Sequence, residues 1–205
     1  MCGIIAVLRR PSSREVPDLV GLNNLLDSIT SSLSMEDLNT LKKQVDSLDF
    51  VNSQLKGLPG FLALFHNEGL ISQIERNLED ISEFLTNPTD LISFSSDDVE
   101  ALNSSLTMMR DLVWSINNDR IGSYKGVVDL VSKKFDTSSH GFSILLSIQQ
   151  ALSGLDRLEV RGRDSAGLQI LVWDHDLHDD EIPRDRLNDP LFRSGAIRKL
   201  KNGSL

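Results

Sequence analysis

The sequence predicts an α+β protein in which a small strand-and-helix layer, built from the two ends of the chain, carries an inserted all-α bundle. Three observations favour this class: a short apolar run at the N-terminus, a middle segment with apolar residues every three or four positions, and a C-terminal part with short apolar runs bounded by polar loops. We expect two domains, one formed by residues 1–10 and 139–205 and the other by residues 11–138.

The run Ile4 to Leu8 is predicted to be a buried strand. Five amphipathic helices are predicted next, with apolar stripes spanning residues 19–29, 35–55, 70–85, 99–116 and 121–135. Clusters of turn-forming residues predict breaks at Gly57-Leu58-Pro59-Gly60, Asn87-Pro88-Thr89-Asp90 and Asn117-Asn118-Asp119. Helices of this kind pack as a bundle, so we interpret their stripes as core.

Beyond Ser138 the pattern changes. Phe142 to Leu158 predicts a further helix, Leu168 to Trp173 a strand, Asp174 to Pro190 a long acidic loop, and Ser194 to Leu200 a return strand. The N-terminal strand needs a partner, and the nearest candidates follow residue 165. The bundle is therefore interpreted as an insertion.

Composition excludes several classes of protein. The 205 residues contain a single cysteine, so there is no internal disulfide to suggest secretion, and no apolar run approaches the ~20 residues of a membrane span. We expect a cytoplasmic protein. Residues 11–138 hold 20 acidic and 10 basic side chains, a balance of −10 within a net charge of −9, which disfavours nucleic acid and anionic membranes as partners.

That single cysteine is Cys2, and its position favours catalysis. Met1 precedes a small residue, and its removal would place a thiol and a free α-amine on one residue. An α-amine with a pKa of about 7.7 to 8.0 is partly neutral at physiological pH and can accept the thiol proton. Alternatives are a buried apolar residue starting a strand, which is the usual role of a free cysteine, and a lipid-anchored cysteine, for which no membrane-facing context is found.

Two motifs resemble one enzyme family. Cys2-Gly3-Ile4-Ile5, together with the run from Arg157 to Gly167 that reads RLEVRGRDSAG, resembles the class II (N-terminal-nucleophile) glutamine amidotransferases, and among them most the N-terminal part of the glutamine-fructose-6-phosphate aminotransferases. This chain has Val160 and Arg163 where that family usually has tyrosines. The resemblance implies a partial N-terminal-nucleophile (Ntn hydrolase) sheet and helix layer.

The resemblance also implies a chemistry. Cys2 would attack the glutamine side-chain amide to form a thioester, and its α-amine would act as base and then acid. Arg161 and Gly162 match the pair that lies against the nucleophile. The ammonia would go to a sugar phosphate such as fructose 6-phosphate, bound by a downstream domain, for amino sugar biosynthesis. No cofactor and no metal are implied, and homo-oligomerisation is left open.

Two further family features are missing from the sequence. The Arg-Trp loop that grips the glutamine carboxylate and the His-Asn-Gly of the oxyanion hole do not occur, and His66-Asn67-Glu68-Gly69 is no substitute because a glutamate interrupts it. Oxyanion donors are typically worth ~10² to 10³ in rate, so we expect this chain alone to be a poor glutaminase whose remaining pocket lies beyond Leu205. The alternative function is a helical interaction or regulatory module on an inert amidotransferase scaffold.

Other polar groups give weaker signals. The run from Asp174 to Asp180 holds two histidines and four aspartates but no defined ligand spacing, so a solvated loop is preferred to a metal site. His140 precedes Gly141 near a helix start, where we expect a surface or capping role.

Overall fold

The structure, a computed structural model, describes residues 5–7, 12–33, 38–86, 96–131 and 138–159. These residues are 86% helical and contain no strand, so their class is all-α and the predicted α+β class with its N-terminal-nucleophile (Ntn hydrolase) sheet is wrong. Residues 5–7 of the expected first strand lie outside any helix or strand. A strand exists only through hydrogen bonds to a partner strand, and a short apolar run does not establish that partner. The expected strands over residues 168–173 and 194–200 lie outside the described residues.

Seven α-helices make up the described chain. They are α1 (Leu19–Ser31), α2 (Leu38–Gln54), α3 (Gly57–His66), α4 (Ile71–Thr86), α5 (Ser96–Trp114), α6 (Gly122–Leu130) and α7 (Ser139–Glu159). A 3₁₀ turn, Glu68–Leu70, separates α3 from α4, and a π-helical segment, Ser115–Ile121, follows α5. Helix is confirmed in the described residues of all six predicted stripes, although stripes 99–116 and 121–135 lie in one continuous helical run.

Helix α3 is the one that the sequence did not predict. The run Gly57-Leu58-Pro59-Gly60 was expected to be a turn, yet it forms the first turn of this helix. The break itself is at Gly57, whose φ of 69° is readily adopted only by glycine. Pro59 then lies in the first helical turn, where its missing N–H costs no hydrogen bond.

The expected break at Asn117-Asn118-Asp119 is also wrong. These residues lie within the π segment, and the flanking residues Trp114, Ile121 and Gly122 all have right-handed helical dihedrals. The chain therefore runs as one helix from Ser96 to Leu130. The buried residues Ile116 and Ile121 are five positions apart, which is the spacing of one π turn.

Apolar side chains from all seven helices share one core. The most deeply buried large side chains are Leu19, Leu26, Leu41, Leu48, Leu64, Ile74, Leu78, Ile81, Leu85, Leu102, Met109 and Phe142. Full burial of such a side chain contributes about 1.5–3 kcal/mol. The apolar stripes are thus core, as the sequence predicted.

A polar network centred on Asp27 joins α1 to α4. Asn77 Nδ2 donates to Asp27 Oδ1 at 2.7 Å, Gln73 Nε2 lies 3.4 Å from Oδ2, and Asn23 Nδ2 donates to Oδ2 at 3.2 Å. The contacts pair residue 23 with 77 and residue 27 with 73, so the two helices run antiparallel. Because Asn23 and Asn77 are buried, a register slip would leave polar atoms without partners.

Two local contacts fix the ends of α1 and α2. Asp18 caps α1 by accepting a hydrogen bond from the backbone N–H of Val20 at 3.1 Å. Arg14 donates to the carbonyl oxygens of Ser53, at 2.7 Å, and Lys56. Its guanidinium thereby satisfies carbonyl groups at the C-terminal end of α2.

The chain divides into two compact units. One comprises Met1–Ile5 and Gly154–Leu205, and the other comprises Ala6–Ser153. The domain limits expected from the sequence, 1–10 with 139–205 and 11–138, stay a prediction. Every helix within the described ranges is too short or too polar to cross a bilayer.

Candidate functional site

The residues expected to carry the chemistry lie outside the part of the chain that the structure describes. This applies to the expected nucleophile Cys2 and to the positioning pair Arg161 and Gly162. It applies equally to Val160, to the rest of the motif through Gly167, and to the Asp174 to Asp180 run. The structure does describe the approaches to both motifs, namely residues 5–7 and α7.

Ile5 packs against α7 at Gly154. A Cβ atom at Gly154 would lie 2.6 Å from Cδ1 of Ile5 and 3.3 Å from its Cγ2, so the isoleucine occupies the space that a side chain would need. Ile5 is three residues after Cys2, and Gly154 is seven residues before Arg161. Both contact residues belong to the same compact unit.

The His66-Asn67-Glu68-Gly69 run has a structural role. Asn67 Nδ2 donates to the carbonyl oxygen of Ala63 at 2.9 Å, and the Asn67 N–H donates to that of Leu64 at 3.2 Å. These bonds satisfy carbonyl groups at the end of α3. His66 meets the edge of the Phe65 ring, with the ring centroids 6.0 Å apart. The contacts of this run are those of a helix terminus.

Sequence analysis missed a polar cluster on the π segment, which we call the Arg120 centre; it comprises Asn52, Ser115, Asp119 and Arg120. Arg120 Nε donates to Asn52 Oδ1 at 2.9 Å, and Arg120 Nη2 lies 3.4 Å from Ser115 Oγ. Ser115 Oγ also lies 3.3 Å from Asn52 Oδ1 and 3.5 Å from Asp119 Oδ2. The centre thus links α2 to the π segment.

Burial and charge act in opposite directions on Arg120. Burial lowers the pKa of its guanidinium from the ordinary value, and the nearby Asp119 carboxylate raises it again in part. The only feature of the sequence that could have indicated the π segment was the five-residue spacing of Ile116 and Ile121. That spacing was hidden because Asn117-Asn118-Asp119 has the composition of a turn.

Aromatic rings form a second cluster, where α3, α6 and α7 meet. The ring centroids of Phe61 and Tyr124 are 5.7 Å apart, those of Phe61 and Phe142 5.0 Å, and those of Phe65 and Phe142 4.6 Å. Burial, and secondarily the Glu68 carboxylate, raises the pKa of Tyr124. These are packing distances for a core cluster.

Within the described ranges, no group of histidine, cysteine or acidic side chains is arranged to hold a metal ion. Comparison with known proteins adds no assignment, since no family model, curated protein or solved structure matches this chain.

Proposed function

We propose that this chain supplies the glutamine-hydrolysing part of a cytoplasmic glutamine-dependent aminotransferase, with Cys2 as the nucleophile. Support comes from the two motifs and from one observation in the structure, the packing of Ile5 on Gly154. That contact joins the segment following Cys2 to the helix preceding Arg161. The proposal concerns the chemistry of Cys2 and includes no sheet.

The first half of the reaction forms a covalent intermediate. The Cys2 α-amine accepts the thiol proton, and the thiolate sulfur attacks the side-chain amide carbon of glutamine. The carbon–nitrogen bond then breaks, and the protonated amine returns its proton to the departing nitrogen. The products of this half are ammonia and a γ-glutamyl thioester.

Water completes the cycle. The α-amine removes a proton from water as it attacks the thioester carbon, glutamate leaves, and the Cys2 thiol is regenerated. The ammonia is passed to a sugar phosphate such as fructose 6-phosphate, bound by a further domain. Arg161 and Gly162 are positioning residues in this scheme, because they match a pair that lies against the nucleophile in the family that the motif resembles.

The function is tested with the full-length gene product. Cys2→Ala should abolish amino sugar formation from glutamine while leaving formation from free ammonia, because the acceptor chemistry does not use the thiol. Intact mass should show that Met1 has been removed, since the mechanism needs the amine of Cys2. Glutamine turnover that survives in Cys2→Ala would exclude this function and favour the helical interaction module instead.

The contact that supports the proposal has its own test. Gly154→Ala introduces a Cβ that would lie 2.6 Å from Cδ1 of Ile5, so the Ile5 side chain must move and its packing on α7 changes. We expect glutamine turnover to fall, and to recover when Ile5→Val removes that Cδ1 atom. Gly122→Ala is the matched control, because its Cβ would meet Asn117 O at an ordinary 3.6 Å. Equal turnover in Gly154→Ala and Gly122→Ala would remove this support.

A further inference from the structure

The Arg120 centre contains a half-buried cation that forms no ion pair with a described residue. Among the described residues, no carboxylate lies within ion-pairing distance of the Arg120 guanidinium, although Asp119 is near enough to raise its pKa. Its hydrogen bonds go to the neutral side chains of Asn52 and Ser115. Taking a charge out of water is costly unless another charge or several hydrogen bonds compensate it. An anion bound here would recover part of that cost.

The Arg120 centre also contains N–H donors that have no hydrogen-bond acceptor among the described residues. A guanidinium carries five N–H donors in a planar fork. Arg120 donates from Nε to Asn52 Oδ1 and from Nη2 to Ser115 Oγ. Its Nη1 group forms no hydrogen bond to another described residue. Asn52 is 6% exposed and its Oδ1 accepts from both Arg120 and Ser115, so its amide NH₂ remains to donate.

We propose that the Arg120 centre binds a small oxyanion, a phosphate or carboxylate group, through Arg120 Nη1 and the Asn52 amide. Charge-assisted bonds from a guanidinium suit both groups. The π segment is what aligns Ser115 and Arg120 with Asn52, and π turns are frequent at functional sites. This site is independent of Cys2.

Asp119 sets the strength of the site. Its carboxylate lies 3.5 Å from Ser115 Oγ and opposes an incoming anion. Two charge-assisted bonds opposed by one nearby carboxylate favour weak binding, with a Kd on the order of 1 mM. Removing the carboxylate should tighten binding about fivefold, the effect of one charge at a partly screened distance.

Thermal unfolding of the chain in sodium phosphate, against sodium chloride at equal ionic strength, tests the site. Above the Kd the Tm should rise with the logarithm of the phosphate concentration, by about 5 °C or more at about 100 times the Kd. Phosphate also stabilises proteins without binding, so variants are compared. Arg120→Gln should lose this logarithmic rise, whereas Arg76→Gln, at an exposed arginine of α4, should keep it. Equal phosphate responses in these two variants would overturn the proposal.

Two further measurements test the site even if Arg120→Gln fails to fold. In Asp119→Asn, a given rise in Tm should occur at about one fifth of the phosphate concentration that the parent needs. In the parent protein, the Arg120 Nε–H resonance should shift with phosphate. An acetate titration tests selectivity, because a matching shift shows that the site accepts either oxyanion and no shift shows that it selects phosphate. An Arg120 resonance that neither anion moves would contradict the site.

Discussion

Tyr124 is the only tyrosine in the chain, so its titration can be followed without interference. It is buried and packs against Phe61, and its pKa is raised, first by burial and then by Glu68. The neutral phenol is therefore favoured in the folded state. Its contribution to stability is fully present below the unfolded pKa of about 10 and is lost as pH rises through the folded pKa.

The phenolate absorbance of the native protein should accordingly appear at higher pH than that of the protein in denaturant. Tyr124→Phe should lose less stability than the parent as pH rises above about 10, since it has no phenol to ionise. Urea unfolding at neutral and alkaline pH measures this difference. Identical titration curves in the native and denatured states would show that the ring is not desolvated.

Single residues also show where sequence reasoning reached its limit. Buried residues such as Leu26, Leu48 and Ile81 were predicted as core because their helical spacing is visible in the sequence. The partnership of Asn52 with Arg120 could not be predicted, because the two lie on different elements and no local pattern relates them. Cys2 was proposed as the nucleophile from its position, whereas Arg161 and Gly162 were found only through a resemblance.

At the scale of helices, the close approach of α3 to the end of α2 depends on Gly60. A Cβ atom there would overlap the backbone carbonyl of Leu55, which no side-chain rotation can relieve. We expect Gly60→Ala to lower the free energy of unfolding by about 1–3 kcal/mol or more. Denaturant unfolding measures the loss.

Gly69→Ala is the control for that substitution. A Cβ at Gly69 meets no atom within 4 Å, so the change in stability should stay within about 0.5 kcal/mol. If Gly60→Ala were as stable as Gly69→Ala, the tight junction between α2 and α3 would be wrong.

Helices were predicted better than the breaks between them. Of the three expected strands, only residues 5–7 of the first are described, and these form no strand. A repeat of three or four residues is a property of the helix itself, so the stripes of α1, α2, α4, α5, α6 and α7 sufficed. Turn-forming residues led to two wrong predictions of a turn, at Gly57-Leu58-Pro59-Gly60 and at Asn117-Asn118-Asp119. Glycine and proline are tolerated in a first helical turn, and asparagine and aspartate were accommodated by a π turn.

At the scale of the whole molecule, α7 matters to the core of the larger compact unit. Phe142, Leu145 and Leu146 of this helix are buried, and the Phe142 ring packs against Phe61 and Phe65. Truncating one buried phenylalanine costs about 3–5 kcal/mol, and a domain has only about 5–15 kcal/mol in total. A bundle ending at residue 138 therefore lacks a large part of its stability.

Two fragments test this role of α7. Residues 12–153 should unfold cooperatively in urea, whereas residues 12–138 should give a broad transition or none. Circular dichroism and tryptophan fluorescence of Trp114 should give coincident curves only for the longer fragment. Equal stability of the two fragments would place α7 outside the core.

The labelling of Cys2 by a glutamine-like electrophile tests the proposed nucleophile most directly. Cys2 is the only cysteine among these 205 residues, and peptide mapping of the labelled full-length gene product identifies the residue that carries the adduct. We expect one adduct on a peptide beginning with Cys2, slowed by excess glutamine, slower in Arg161→Ala and absent in Cys2→Ala. No adduct, or an adduct whose rate glutamine does not change, would contradict a catalytic role for this cysteine.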